Sequence, residues 1–358
     1  MHASSPPLLT DLLKQVSRSF YLTLRVLPRA IRPQIGLAYL LARASDTIAD
    51  TEVVPVSMRL KALDCLRERF QGKSTAPLDL AEVVHAHSSR TAAISNNPAG
   101  LTEAGEQSGS DAERALLERI EEALSLVHQF SQDDQQRIRQ VLETITSGQS
   151  LDLSRFAGAT REHIVALPSD QELDDYTYRV AGCVGEFWTR ICRAHLFPKA
   201  AVDEAALLGN GIRFGKGLQL TNILRDLPSD LAQGRCYIPT ERLREIKLPP
   251  EALLHQATMP AFRPLYQHYA GQAEAHLAAG WTYTNTLPRG CARVRLACAW
   301  PILIGMRTLR RLRETNVLDA SRRVKISRRE VRKLLLLSVV CYPWSRAWDG
   351  LFERAGRA

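Results

Sequence analysis

Helical periodicity is the feature that most limits what this chain can fold into. Ala, Leu, Arg and Glu recur at helical spacing along its 358 residues, and runs alternating between apolar and polar residues are nearly absent. A chain of this length can bury one large core. The sequence therefore predicts an all-α fold with helices at about 8–18, 31–50, 57–71, 111–130, 133–146, 170–197, 200–227, 260–286, 289–314 and 327–341.

One long stretch departs from this pattern. Residues 72–110 are dominated by Gly, Ser, Thr, Asn and Pro, as in Ser95-Asn96-Asn97-Pro98. Such a composition predicts a mobile surface insertion, with a short helix near 78–87 and no catalytic residues.

Two acidic pairs with the same spacing carry the strongest chemical signal. Asp226 and Asp230 are four residues apart, Asn222 lies one turn earlier, and Asp46 and Asp50 repeat the spacing. On a helix such residues stack along one face with a drift of about 40° per step. A single pair is usually a solvated face. Two pairs predict a cavity in which facing carboxylates bind Mg²⁺, which prefers one or two carboxylates plus phosphate and water oxygens.

Pro228 complicates the second pair. Proline removes a helical hydrogen bond and disfavours helical geometry at the preceding residue. The sequence therefore predicts that the helix ends near Leu227 and that Asp230 lies beyond the break.

The first acidic pair ends the helix predicted at 31–50. Ile35, Tyr39 and Asp46 share a side of that helix, so the acids are expected on its interior-facing stripe.

Several other side chains have both an ordinary and a functional interpretation. Arg43, Arg225 and Arg235 flank the pairs and could neutralise the surface, but their guanidinium groups also suit bidentate binding of diphosphate oxygens. Tyr176 could be a core tyrosine or a group that steers a proton.

The glycines at 209, 211 and 215 superficially resemble a dinucleotide loop. Their spacing is unusual, and the preceding residues predict a helix instead of a strand. Close packing of neighbouring helices explains them better, as it does the small residues at 181, 182 and 185.

The charge of the chain favours anionic partners. Its formal net charge is +9 with a pI of about 9.3, and residues 307–333 contain eleven Lys or Arg against three acids. This suits a phosphorylated ligand or an anionic membrane surface. We expect no nucleic-acid partner, because no basic ribbon with interleaved aromatics, helix-turn-helix or zinc-finger spacing is present.

Localisation follows from the apolar runs and the cysteines. Seven scattered cysteines predict reduced thiols, and residues 1–20 lack the apolar core of a signal peptide, so we expect a cytoplasmic protein. No run approaches the ~20 residues of a spanning helix. The stretch from Leu334 to Phe352 mixes apolar residues with Trp344, Trp348 and Arg346, which fits either peripheral contact with the inner face of the membrane or packing into the core.

Four motifs, in this order, resemble those of the squalene/phytoene synthase family. They are Ser17-Arg18-Ser19-Phe20, Arg43-Ala-Ser-Asp46-Thr-Ile-Ala-Asp50, Tyr176-x-x-x-Val180-Ala181-Gly182 and the segment from Gln219 to Asp230. The resemblance covers about residues 10–335 without the insertion. It implies one isoprenoid-synthase domain over residues 1–358, a helical bundle around a central cavity.

The resemblance also implies roles for particular residues. Two molecules of farnesyl diphosphate would be bridged to Mg²⁺ by the four aspartates with the help of Asn222, and Tyr176 would assist ionisation and proton removal. The remaining matches are to positions that hold diphosphate or line the cavity: Ser17, Arg18, Ser19, Arg43, Arg225 and Arg235 for diphosphate, and Tyr39 and Gln219 for the cavity.

Two shorter matches, Cys298-Ala-Trp-Pro301 and Val324-Lys325-Ile326, favour the squalene branch, and the lack of a C-terminal membrane helix resembles its soluble bacterial members. That branch condenses two farnesyl diphosphates to presqualene diphosphate and reduces it with NADPH to squalene, a precursor of hopanoids or sterols. Arg322, Arg323 and Lys325 are the candidate NADPH contacts. Alternatives are a dehydrosqualene or phytoene synthase on the route to carotenoids, a presqualene diphosphate synthase, and a silent helical scaffold. We expect a monomer.

Overall fold

The computed structural model of the protein describes residues 11–17, 20–86 and 103–356. Within these residues nearly all regular structure is helical, and strands are limited to two segments of two residues each. The predicted all-α class is confirmed. The chain divides into two compact units, Met1–Ser154 and Arg155–Ala358, which we describe separately.

The first unit is built from short and medium helices. They are α1 (Asp11–Ser17), α2 (Phe20–Val26), α3 (Arg32–Asp50), α4 (Val56–Gln71), α5 (which includes residues 81–86), α6 (Glu103–Glu118), α7 (Ile120–Leu126), a 3-10 turn (Val127–Gln129) and α8 (Gln132–Arg155).

The central helix of the first unit is α3. Pro33 lies in its first turn, where no helical N–H donor is needed. Leu37, Leu40, Leu41 and Ile48 are fully buried and form its core face. The predicted span of 31–50 is confirmed within one residue.

Two helices of this unit extend beyond their predicted ends. Helix α6 begins at Glu103, eight residues before the predicted start at 111. Helix α8 continues through Gly148 to Arg155, past the predicted end at 146. Gly148 is buried on the same side as Val141 and Ile145. Tertiary packing of that side outweighs the cost of about 1 kcal/mol for a helical glycine.

The second unit has longer helices. They are α9 (Asp170–Thr177), a π-helical segment (Tyr178–Gly182), α10 (Cys183–His195), α11 (Glu204–Ala232), α12 (Thr240–Glu245), 3-10 turns (Pro250–Leu254, Gln256–Thr258 and Arg289–Cys291), α13 (Met259–Thr286), α14 (Ala292–Glu314), α15 (Arg328–Cys341) and α16 (Ser345–Gly356). Strands β1 (Val165–Ala166) and β2 (Arg235–Cys236) pair in parallel. Helix α16 replaces the short tail expected from the sequence.

Glycines let α10 and α11 pack against each other closely. A Cβ atom at Gly185 would overlap the carbonyl oxygen of Gly211, and one at Gly211 would lie 2.6 Å from Thr189 Oγ1. The predicted packing role is therefore confirmed for Gly211. It is wrong for Gly209, which has no such atom within 4 Å.

Helix α11 does not end at Pro228, so the predicted break at this residue is wrong. The helix continues to Ala232, and Asp230 lies in its last turn. Proline has no N–H to donate to the carbonyl of Leu224, four residues earlier. The hydroxyl of Tyr266 on α13 donates to that carbonyl instead, at 3.2 Å. A side chain from another helix thus replaces the missing bond and keeps the helix intact.

Tyr266→Phe is expected to lower the free energy of unfolding by about 1–3 kcal/mol, because the buried Leu224 carbonyl loses the hydroxyl that replaces the missing helical N–H. Pro228→Ala restores the helical N–H, so the double variant should recover most of the loss. Urea denaturation of all four proteins measures the coupling. Tyr342→Phe is the control, because the carbonyl that its hydroxyl contacts, at Arg289, is exposed and can bind water. Additive effects would contradict this account.

Candidate active site

The first carboxylate pair, Asp46 and Asp50, lies at the C-terminal end of α3. Asp46 is half-buried and Asp50 is exposed, whereas the core face of the helix lies on the side of Leu41 and Ile48. The expected interior-facing stripe is therefore only partly correct. It is buried at Ile35 and reaches the surface at Asp50, with Asp46 half-buried between them.

The pKa of Asp46 is raised from its usual range to about 7. The main cause is loss of solvation, and repulsion from Asp50 adds to it, while Arg43 and Gln149 partly offset both. The side chain nevertheless keeps 45% of its surface exposed. Asp46 is thus a recessed carboxylate that is reached from solvent but poorly hydrated, and it is stabilised by a nearby positive charge.

Two residues around Asp46 had no signal in the sequence motifs. Gln149 on α8 donates its amide to Asp46 Oδ1 at 2.5 Å, and Glu113 on α6 accepts from the Arg43 guanidinium. Arg43 also lies 4.0 Å from Asp46 Oδ2. Burial alone would lower the pKa of Arg43, but the charges of Glu113 and Asp46 raise it. Gln149 shares the buried side of α8 with two other polar residues, Asp134 and Thr146, so the sequence pattern did not single it out.

The second carboxylate pair, Asp226 and Asp230, lies on α11. Asn222, Asp226 and Asp230 are all half-buried, while Leu224 and Leu227 between them belong to the core. Because the helix is continuous from 222 to 230, the predicted i, i+4, i+8 alignment includes Asp230.

Arg225 is bound to its neighbour Asp226. Its Nε and one terminal nitrogen donate to the two carboxylate oxygens, at 2.9 and 2.5 Å. This hydrogen bond and the charges of Asp226 and Asp230 raise the pKa of Arg225 against the effect of burial. The guanidinium therefore already holds a bidentate oxyanion in the free protein.

Arg235 is fixed just beyond α11. It pairs with Val165 in the two-stranded sheet, and Gly234 turns the chain with a φ of 79°. A Cβ atom at Gly234 would overlap the backbone of Thr160. The turn therefore sets a fixed path from Asp230 to Arg235.

Tyr176 lies in an aromatic cluster in the second unit. Its ring stacks on Tyr237 with centroids 4.7 Å apart, and its hydroxyl lies 3.3 Å from the Tyr237 hydroxyl. Phe156 packs edge-on against Tyr237. Tyr176 is 8% exposed, so its ring contributes to the core. Its hydroxyl has a partner in Tyr237, which no sequence motif indicated.

The three candidate cofactor-binding cations lie in an exposed segment between α14 and α15. Arg322, Arg323 and Lys325 are exposed, and Arg322 Nε lies 3.3 Å from Asp319. The Lys325 carbonyl accepts a hydrogen bond from Arg311. This bond fixes the backbone that carries the Lys325 side chain.

The remaining predicted residues are less informative. Arg18 and Ser19 lie outside the described residues, as does the side chain of Ser17, which ends α1. Tyr39 and Gln219 are half-buried on α3 and α11. Among the described residues, no three His, Cys, Asp or Glu side chains gather as one metal site. Each carboxylate pair therefore provides two acidic ligands at most, which is the number that Mg²⁺ prefers from protein.

Comparison with known proteins places this architecture. TcSQS in complex with the ligand BPH1237, one of the squalene synthases of known structure, superimposes with a TM-score of 0.71 at 20% identity, over 97% of this chain and 89% of that one. This likeness defines the class: the chain has the isoprenoid-synthase fold. The model of the squalene/phytoene synthase family matches residues 13–330, and the chain belongs to this family of prenyltransferase-type enzymes, which act on prenyl diphosphates.

The relatives differ in activity. The bifunctional lycopene cyclase/phytoene synthase of Blakeslea trispora is 26% identical over 303 residues, which are 82% of this chain and 43% of that protein. The chain thus spans less than half the length of that relative. The presqualene diphosphate synthase of Zymomonas mobilis is 27% identical over 274 residues, 76% of this chain and 74% of that one.

Proposed function

We propose that this protein is a squalene synthase that condenses two farnesyl diphosphates to presqualene diphosphate and then reduces this intermediate to squalene. The observation that carries the proposal is the pairing of each acidic motif with an arginine, Arg43 with Asp46 and Arg225 with Asp226. A protein that ionises an allylic diphosphate needs such carboxylates to hold metal and such arginines to hold the departing anion.

The acidic residues fit Mg²⁺. Asp46 is poorly solvated and repelled by Asp50, and Arg43 and Gln149 offset these effects only in part, so the pKa of Asp46 remains raised and a cation would stabilise its carboxylate. In the proposed enzyme the four aspartates and Asn222 hold the metal, which stabilises the negative charge of the leaving diphosphate. When the diphosphate binds, the guanidinium N–H groups of Arg43 and Arg225 would leave the carboxylates of Glu113 and Asp226 and donate to diphosphate oxygens instead.

Tyr176 acts next to the reacting carbons in this proposal. Its hydroxyl, oriented by the Tyr237 hydroxyl, accepts or returns a proton after ionisation. The surrounding aromatic and aliphatic side chains exclude water, which would otherwise capture the carbocation. We place this enzyme in the cytoplasm, where its free cysteines would stay reduced.

The choice of squalene rests on the second half-reaction. The cation formed from presqualene diphosphate can lose a proton, react with water or accept a hydride, and only the hydride gives squalene. NADPH supplies that hydride when it is bound. Arg322, Arg323 and Lys325 fit the extra phosphate of NADPH, because all three are exposed and Arg322 is the one that has an acid, Asp319, at 3.3 Å in the described part of the chain.

We expect NADPH to change the product from presqualene diphosphate or dehydrosqualene to squalene when purified protein is incubated with farnesyl diphosphate and Mg²⁺. Lys325→Ala should raise the NADPH concentration needed by about tenfold, the effect of losing one charge-assisted hydrogen bond, and leave the first condensation unchanged. Products are identified by gas chromatography with mass spectrometry. Lys199→Ala, which removes another exposed lysine of the second unit, is the control.

A presqualene diphosphate synthase is the second candidate, favoured by the Zymomonas mobilis relative. The same incubation separates the two. If presqualene diphosphate accumulates both with and without NADPH, the second candidate replaces the first. Dehydrosqualene under both conditions would instead favour the carotenoid branch.

A further inference from the structure

Helix α15 exposes an apolar surface that the reaction does not use. Eight large hydrophobic side chains are exposed among the described residues, and four of them lie within nine residues of each other: Leu336, Val339, Val340 and Trp344. Leu336 is 67% exposed and Trp344 62%. An exposed cluster of this kind marks an interaction surface.

The rest of α15 is anchored to the core, so the orientation of the helix is fixed. Leu334, Ser338 and Cys341 are buried, and the Ser338 hydroxyl accepts from Trp300 Nε1 at 2.9 Å. The neighbouring Trp348 belongs to the core as well, since it is 2% exposed and stacks on Trp281. Of the two interpretations left open for Leu334 to Phe352, packing into the core is therefore the correct one for Trp348.

The exposed residues of α15 form one stripe that changes character along its length. At about 100° per residue, the positions 329, 332, 333, 336, 339 and 340 all lie within about 60° of Leu336. The first three are Arg329, Arg332 and Lys333, and the last three are apolar. Trp344 follows just beyond the helix. We call residues 329, 332, 333, 336, 339, 340 and 344 the α15 stripe.

The stripe is surrounded by positive charge. Residues 321–346 contain eight Lys or Arg and one acid, Glu330. Glu330 is bound to Arg311 at 2.5 Å, which neutralises it. An apolar tip with a tryptophan, next to a row of cations, is complementary to the interface of an anionic bilayer, where apolar side chains enter the acyl region and cations meet the headgroups.

A second copy of the chain fits this surface less well. A two-fold interface places the same patch on both partners, which would bury six cations, Arg329, Arg332 and Lys333 of each copy, with no acidic residue of the stripe to pair with them. Four apolar side chains are also far short of the roughly 20–30 residues per side in a stable interface.

We propose that the α15 stripe binds the surface of anionic membranes, with Leu336, Val340 and Trp344 inserted and Arg329, Arg332 and Lys333 on the headgroups. The attachment is peripheral, because none of the described helices is long and apolar enough to span a bilayer. It is independent of the proposed reaction and can be measured without substrate.

Sedimentation with vesicles tests the proposal. Vesicles of equimolar phosphatidylglycerol and phosphatidylcholine should carry the full-length protein into the pellet. Leu336→Ser/Val340→Ser/Trp344→Ser should lower the partition coefficient at least ~10-fold. Arg329→Gln/Arg332→Gln/Lys333→Gln, which alters no buried side chain, should lower it about 5-fold per charge at low salt, and have little effect on pure phosphatidylcholine.

The matched control is Met58→Ser/Lys61→Gln, which removes an exposed apolar and an exposed basic side chain of α4 in the first unit. It should sediment like the wild type. Equal sedimentation of the wild type and both stripe variants would overturn the proposal. So would a wild-type dimer in size-exclusion chromatography without vesicles that the apolar substitutions convert to a monomer, since the stripe would then be an interface between copies.

Discussion

Asp46→Asn is expected to abolish turnover and, at the same time, to make the metal-free protein more stable at neutral pH. In the proposed function Asp46 would hold the metal that stabilises the departing diphosphate, and loss of this charged ligand should cost about 10³-fold or more in kcat. The gain in stability comes from the raised pKa of about 7, because the folded protein holds a carboxylate that it solvates poorly.

The pH dependence has a definite sign. Below about pH 4 Asp46 is protonated in both the folded and the unfolded chain. Replacing it with Asn therefore has no electrostatic effect on the free energy of unfolding there. As pH rises towards 7 the unfolded chain ionises first, and the folded state becomes relatively less stable. The full shift would be worth about 4 kcal/mol, but solvent screening at a side chain that is 45% exposed reduces this to about 1–2 kcal/mol.

Urea denaturation in EDTA at pH 5 and pH 8 measures this effect, and the gain should be larger at pH 8. Asp226→Asn should also abolish turnover, but with no gain in stability, because it breaks the bidentate contact with Arg225. Asp64→Asn, at an exposed acid bound to Arg67, is the control for both. Near-normal product formation by either active-site variant would rule out the role of its carboxylate pair.

Gly185→Ala is expected to have the largest effect on stability. Its new methyl group would overlap the carbonyl oxygen of Gly211, and two helical backbones have to separate to admit it. Displacing packed backbone should lower the free energy of unfolding by at least about 3 kcal/mol. This loss is larger than that of a usual surface substitution. Thermal unfolding and the yield of folded protein would both report the loss.

Gly209→Ala provides a matched control in the same pair of helices. No atom lies within 4 Å of the added carbon there, so alanine should stabilise α11 by up to about 1 kcal/mol through its higher helix propensity. If Gly185→Ala were as stable as the wild type, the close contact between α10 and α11 would not exist in solution.

The helices that the sequence located well are those with strong apolar periodicity. For α3 and α13 the predicted ends differ from the observed ones by one residue, since their buried sides repeat without interruption. The spacing of both carboxylate pairs was also visible, because i, i+4 positions on one helix are a local property.

Contacts between distant residues could not be predicted. Gln149 reaches Asp46 across 103 positions of the chain, and Tyr266 reaches Leu224 across 42. The same limitation explains the error at Pro228. Propensity rules describe a helix alone, whereas this helix takes a hydrogen bond from another part of the fold.

The hydroxyl of Tyr266 also fixes an order of assembly. Before α13 docks, the Leu224 carbonyl has no donor and the last turn of α11, with Asp230, has little reason to be helical. The second carboxylate pair is thus completed only as the second unit closes. In the proposed enzyme, divalent cations would therefore meet a complete second pair only after α13 has docked, so this pair would be loaded on the folded unit and not on the nascent chain.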